Sequence, residues 1–195
     1  RMNKVGIAID VSHASKQTAL DVCEVTEKPI FITHAGARGI WDIKRLKTDE
    51  VIEACADTGG VLGIEAAPHS TLSEDHPRHS IDSYMDHFEY AVDLVGIDHV
   101  SFGPDTMYAD HVGLHRQWLG KEGIEDHFSI GDFDVMKAFT DEGEETPEKE
   151  GVKGLENPTE GSHNIVRWLV KHGYSDEEIG KVMGGNTLRV LEEVW

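Results

Sequence analysis

"VGIAIDVSHASKQTALDVCEVTEKPIFITHAGARG" (residues 5–39) contains two short apolar runs, each leading into a histidine. The runs are "VGIAID" (5–10) and "PIFIT" (29–33), and the histidines, His13 and His34, stand 21 residues apart. Continuous apolar runs of this length read as strands of a parallel sheet covered on both faces, because a half-exposed strand would alternate. Between them "SKQTALDVCEVT" (15–26) reads as a helix with Ser15 as its cap. Strand, helix and strand then deliver two imidazoles to the same end of one sheet.

The rhythm continues outward. "TDEVIEACADTGG" (48–60) predicts a helix with Thr48 capping, acids in its first turn and glycines at its end. "GVLGIEA" (60–66) is a third strand, "SIDSYMDHFEYAVDLVG" (80–96) a helix, and "HVSFGPD" (99–105) a fourth strand. This alternation means βα units and a parallel sheet. Residues 106–162 break it: they form a long, acidic, loop-rich insertion, with the charge run "DEGEETPEKE" (141–150) as a solvated loop. "GLENPTEG" (154–161) is the polar approach to a helix at 164–173. A last helix spans 175–195, opening with a capping box from Ser175 to Glu178. No internal repeat or second domain is visible, so residues 1–195 form a single partial domain.

Composition narrows the partners. The 195 residues carry 37 acids against 18 Lys and Arg, a net charge of −19. Such a surface repels a phosphate backbone and excludes nucleic acid, including for the helix-turn-helix-like "SDEEIGKVMGGNTLRVL" (175–191). No segment approaches the roughly 18 continuous apolar residues of a membrane span. Cys23 and Cys55 lie in predicted helices without metal-type spacing and read as buried thiols.

Four βα units are half of an eight-stranded barrel, whose chemistry sits at the C-terminal strand ends. His13, His34 and Asp105 all fall at such ends. Two imidazoles and a carboxylate on one mouth suit zinc, with the acid as ligand or proton carrier. Other histidines carry less. "HVGLH" (111–115) has the i, i+4 spacing of a zinc helix but Val112 where the general-base Glu belongs. His69, His76 and His79 read as solvent-exposed loop histidines over the mouth.

At these residues the sequence resembles a family. "VGIAIDVSH", "PIFITHAGAR", "TDEVIEACADTGGVLGI", "VGIDHVSFGPD" and "GGNTLRVLEEVW", in that order, are similar to the membrane dipeptidases, zinc peptidases of the amidohydrolase superfamily. The resemblance implies an α/β fold, the C-terminal half of a (β/α)8 TIM-type barrel (about strands 5–8). It implies zinc-dependent hydrolysis of dipeptides, a metal-bound hydroxide attacking the peptide carbonyl of a small dipeptide substrate. His13 and His34 would be two ligands of a binuclear zinc centre, Asp105 the catalytic proton carrier, and Arg45 the substrate-binding group on the terminal carboxylate. A guanidinium suits that task because it grips carboxylates bidentately. The family's His-x-Asp pair and bridging Glu would lie upstream. Two departures bear on substrate: Leu46 follows Arg45 where the family reads Asn, and "GPDTMY" replaces Gly-Ser-Asp-Phe-Asp-Gly. The alternatives are a truncated half-barrel inactive by itself, or a hydrolase of lactones or acylated amino acids. An open half-barrel has two unpaired edges, so a homodimer or a missing N-terminal half is the expected partner.

Overall fold

The computed structural model describes residues 1–67, 70–77, 79–106, 108, 154–155 and 157–195. Three strands, β1 (Phe31–Ala35), β2 (Val61–Ile64) and β3 (Val100–Phe102), form a parallel sheet in that order. Phe31 pairs with Val61, and Leu62 with Val100. Helices α1 (Lys16–Val25), α2 (Asp49–Asp57) and α3 (Ile81–Val95) make the crossovers. The architecture is therefore α/β with βα units, as the alternating pattern predicts.

The expected strand over 5–10 is not formed. Asn3–Val5 is a 3-10 turn closed by Gly6 at φ 69, where a side chain would be strained. What survives is one bridge, Asp10 to Phe31: Phe31 N–H donates to the Ile9 carbonyl (2.8 Å) and Val11 N–H to the Phe31 carbonyl (2.9 Å). The segment is bonded on one side only among the described residues, too briefly for a ladder. It still runs parallel to β1 and fixes where His13 emerges.

Apolar residues fill both faces of the sheet. Ile30, Ile32, Leu62 and Ile64 join Ile52, Cys55, Tyr84 and Phe88 in the main core, while Phe31 and Val61 pack with Val190 and Val194 on the other side. This two-sided burial explains the unbroken apolar strand sequences. The sheet also curls. A Cβ at Gly63 or Gly103 would collide with the Thr33 carbonyl, so only glycine permits this approach.

Helix starts follow local chemistry. Ser15 accepts from Thr18 N–H, and Ser80 and Ser83 form a reciprocal capping box. Thr48 holds the cap position of α2 without capping it, its buried hydroxyl having no hydrogen-bond partner among the described residues; Asp49 and Glu50 complement the dipole instead. Cys55 is buried as expected, but Cys23 is only half-buried.

The C-terminal helices differ from expectation. Helix α4 (Pro158–Lys171) begins within the supposed polar approach: Asn157 accepts from Glu160 N–H and Pro158 takes the first helical position. The predicted helix over 175–195 is broken. Its capping box opens α5 (Asp176–Gly180), a π-helical turn follows over Lys181–Gly185 with Gly184 at φ 152, and α6 (Asn186–Val194) completes it. The buried Asn186 amide donates to the Ile97 and Val100 carbonyls, both at 2.8 Å, clamping α6 to the start of β3. No helix of the described residues is long and apolar enough to cross a membrane. Most of 106–162, including the run 141–150, His111 and His115, lies outside the described residues.

Candidate metal centre

His34 lies within β1, not after it, where the pairing register slips between Ile32 and Ala35. Such an irregularity bends a strand and re-aims a side chain. His13 sits in the turn after the 9–11 segment, held by Ala14 N–H donating to the Val11 carbonyl (3.1 Å). The two rings meet with their Nε2 atoms 2.8 Å apart and their centroids at 4.9 Å.

A network behind β1 fixes which nitrogen His34 presents. Asp10 accepts from Ser12 Oγ (2.6 Å), Thr33 N–H (3.0 Å) and Thr33 Oγ1 (2.8 Å). The Thr33 hydroxyl proton is therefore committed to Asp10, and its oxygen accepts from His34 Nδ1 at 2.9 Å. That assigns the His34 proton to Nδ1 and leaves the Nε2 lone pair facing His13. Ser12 Oγ also accepts from His34 N–H (3.1 Å). Burial would raise the Asp10 pKa, but the Ser12 and Thr33 hydrogen bonds together hold it below the ordinary value.

Segment 45–47 ties both histidine-bearing stretches together. Arg45 Nη1 donates to the Ser12 carbonyl (3.2 Å), and Nη2 to the His34 carbonyl (3.1 Å) and Glu65 Oε2 (2.5 Å). Buried Lys47 donates to the Val11 and Ala14 carbonyls at 2.8 and 2.9 Å, strapping the His13 turn. Burial pushes the Lys47 pKa down to about 8, with Arg45 adding to it. Fully buried Glu65 is pushed up to about 7 by desolvation, which Arg45 opposes.

Both site imidazoles favour the neutral, ligating form. Burial lowers the pKa of each; Arg45 adds to this, while the Asp105 carboxylate opposes it. Asp105 itself is exposed and sits at φ 55, alone among described non-glycine residues in having a positive φ. Its turn is tied to β2 by Ala66 N–H donating to the Pro104 carbonyl (2.9 Å). The fold thus brings His13, His34 and Arg45 together, with Asp105 within electrostatic reach.

Two neutral imidazoles with converging Nε2 atoms fit a metal such as zinc, and in its absence one proton between them relieves the lone-pair clash. They would supply two nitrogen ligands to such an ion. Among the described residues no group of three or more His, Cys, Asp or Glu can hold a metal. The other histidines stand elsewhere. His76 is partly exposed and bonded to Asp86 at 2.7 Å. His79 is buried, not a solvent-exposed loop residue; its loop is tied to α3 by Ser73 and His76, both bonded to Asp86. His69 lies outside the described residues. Asp10, Thr33, Lys47 and Glu65 are the site residues that sequence reading missed. Glu65 had a visible signal, a lone acid ending the apolar run "GGVLGI".

A parallel βα sheet with paired imidazoles at its C-terminal edge defines an α/β protein with a polar site at its strand ends. The chain belongs to the membrane dipeptidase family (peptidase family M19), whose sequence pattern matches residues 1–127. It is 25% identical to a dipeptidase of Claviceps purpurea over 193 residues, 99% of this chain and 36% of that protein. A dipeptidase of Aspergillus oryzae is 26% identical over the same shares. The chain thus spans about a third of the length of these curated relatives. An amidohydrolase from Pseudomonas aeruginosa superposes with a TM-score of 0.74 at 28% identity, covering 100% of this chain and 54% of that one. A Rhodobacter sphaeroides metallopeptidase, solved with a phosphinate mimic of the dipeptide L-Ala-D-Ala, gives 0.70 at 18% identity over 99% and 44%; this likeness bears on the fold alone.

Proposed function

We propose that the protein hydrolyses dipeptides with a metal centre to which His13 and His34 contribute. The observation that carries this reading is the 2.8 Å approach of the two Nε2 atoms, with His34 Nδ1 tied to Thr33. That arrangement offers two neutral nitrogens to one cation. When bound, zinc supplies a polarised water and a positive charge for developing oxyanion density.

The chain's own residues divide the rest of the work. Arg45 faces the substrate's C-terminal end, its guanidinium held rigid by the Ser12 and His34 carbonyls. Asp105 carries the proton to the leaving amine, from an exposed turn whose charge reaches both imidazoles. The Asp10–Thr33 chain keeps His34 in one tautomer, and Lys47 keeps His13 in place. The C-terminal half of a (β/α)8 barrel, about strands 5–8, is the frame in which this site works.

Metal titration tests the reading. Zinc added to the metal-free full-length protein is expected to bind with L-Ala-D-Ala hydrolysis appearing in proportion. His34→Ala should lose both zinc at this position and turnover. Full zinc loading and unchanged turnover in His34→Ala would remove the pair from the chemistry.

A further inference from the structure

Strand β2 ends differently from its neighbours. The 9–11 segment leads to His13, β1 carries His34 and β3 leads into Asp105, whereas β2 runs into Glu65, whose side chain is fully enclosed. Its backbone is braced on both sides. Glu65 N–H donates to the Ala35 carbonyl (3.2 Å) at the end of β1, and Ala66 N–H to the Pro104 carbonyl (2.9 Å) beside Asp105. An enclosed carboxylate on so fixed a stretch acts on a substrate only through a neighbour.

That neighbour is Arg45, whose side chain is 13% exposed. Its Nη1 donates to the Ser12 carbonyl (3.2 Å), while Nη2 uses both hydrogens, on the His34 carbonyl (3.1 Å) and on Glu65 Oε2 (2.5 Å). Two carbonyls define an axis. The diverging hydrogens of Nη2 set Glu65 off that axis, and a third acceptor there fixes the plane of the guanidinium. One hydrogen on Nη1 and the one on Nε remain, together with the positive charge.

The bond does not require a fully ionised Glu65. Burial, with Asp105 in the same sense, pushes its pKa up to about 7, while Arg45, the Ser70 hydroxyl and Lys47 favour the carboxylate. Oε1 makes no hydrogen bond among the described residues, so a proton taken up resides there and Oε2 still accepts from Arg45. The arginine keeps its charge in either case, and what Glu65 supplies is reach. We propose that Glu65 is a positioning residue for substrate binding, its Oε2 fixing the plane in which the Arg45 guanidinium receives the substrate's C-terminal carboxylate. The inference rests on reading Arg45 as the group facing that end of the substrate.

The test compares L-Ala-D-Ala with its C-terminal carboxamide on the zinc-loaded full-length enzyme. Arg45→Met sets the scale, because it removes the charge that tells the two substrates apart. Glu65→Asp keeps a carboxylate but withdraws it from Nη2 by one methylene. It should raise KM for L-Ala-D-Ala about 10–100-fold with little change in kcat, and lower the acid-to-amide ratio of kcat/KM towards that of Arg45→Met. Glu65→Gln keeps the reach without the charge and should recover most of both losses. A salt bridge serving stability alone predicts that Gln melts lower than Asp and that neither moves the ratio. Glu65→Ala takes the place of Glu65→Asp where the latter does not fold, since it leaves no carboxylate buried out of contact. Wild-type KM and ratio in the shortened variant, or Glu65→Gln as impaired as that variant, overturns the proposal and leaves Arg45 in its role. An unchanged ratio in Arg45→Met overturns both. If neither substrate is cleaved, dipeptide hydrolysis is wrong, and calorimetric binding of a phosphinate dipeptide mimic and its carboxamide to the same variants decides the role of Glu65 by the same ratios.

Discussion

Acid should loosen the site through His87, a residue that never touches it. His87 is fully buried in α3, where Nδ1 accepts from Ala37 N–H (3.0 Å) and Nε2 donates to the Leu72 carbonyl (2.9 Å). Ala37 lies three residues after His34, so this imidazole joins the core helix to the loop leaving the candidate site. Protonation would turn Nδ1 into a donor aimed at another donor. Burial accordingly depresses the His87 pKa from 6.5 to about 4. Between those values the unfolded chain binds a proton that the folded chain refuses, so stability rises with pH across this window and is complete above it. The shift corresponds to about 3 kcal/mol lost on going from pH 6.5 to 4. His79, also buried and pushed to about 4, acts in the same direction, while Glu65, held near 7, acts in the opposite one. A difference measurement isolates His87. Glutamine can accept from Ala37 and donate to Leu72 without titrating, so His87→Gln should flatten the pH dependence by that amount. Urea unfolding followed by circular dichroism at steps from pH 7.5 to 4 measures it. Parallel curves for the wild type and His87→Gln would refute the argument.

Three further outcomes are expected. Asp105→Asn should lower kcat on a dipeptide by roughly 10²–10⁴ with little change in KM, as removal of a proton carrier requires; near-normal turnover with zinc bound would reassign the acid to a structural role. Thr33→Val removes the acceptor for His34 Nδ1–H, and zinc affinity measured by competition with a chelator should weaken by roughly 10–100-fold while the fold persists. Gly63→Ala drives a methyl into the Thr33 carbonyl and should destabilise the protein by about 1–3 kcal/mol, in the range of overpacked cores. An unchanged melting curve for this variant would show that the sheet can uncurl.

The sequence by itself determined the βα alternation and the placing of His13 and His34 at one edge of the sheet. Both rest on local physics. Residues such as Ile30–Ile32 and Val61–Ile64 are apolar without a break because both faces are covered, and a strand–helix repeat forces parallel neighbours. Ser15 and Ser175 announced their helices because capping involves only residues three apart. What sequence reading missed depends on distance along the chain. The strand at 5–10 gives way to a turn closed at Gly6 and a single bridge from Asp10 to Phe31, and the helix over 175–195 breaks where Asn186 is claimed by carbonyls 86 and 89 residues earlier. The same holds at the site. Asp10 and Thr33 are 23 residues apart, Lys47 reaches back 36 to Val11, and Arg45 meets Glu65 across two elements. Residue types and local spacing mark the groups able to bind a metal. Which carboxylate orients the imidazole, and which one pairs with the arginine, is decided only when the folded sheet brings remote charges into a dry interior, where an unpaired charge is too costly to leave alone.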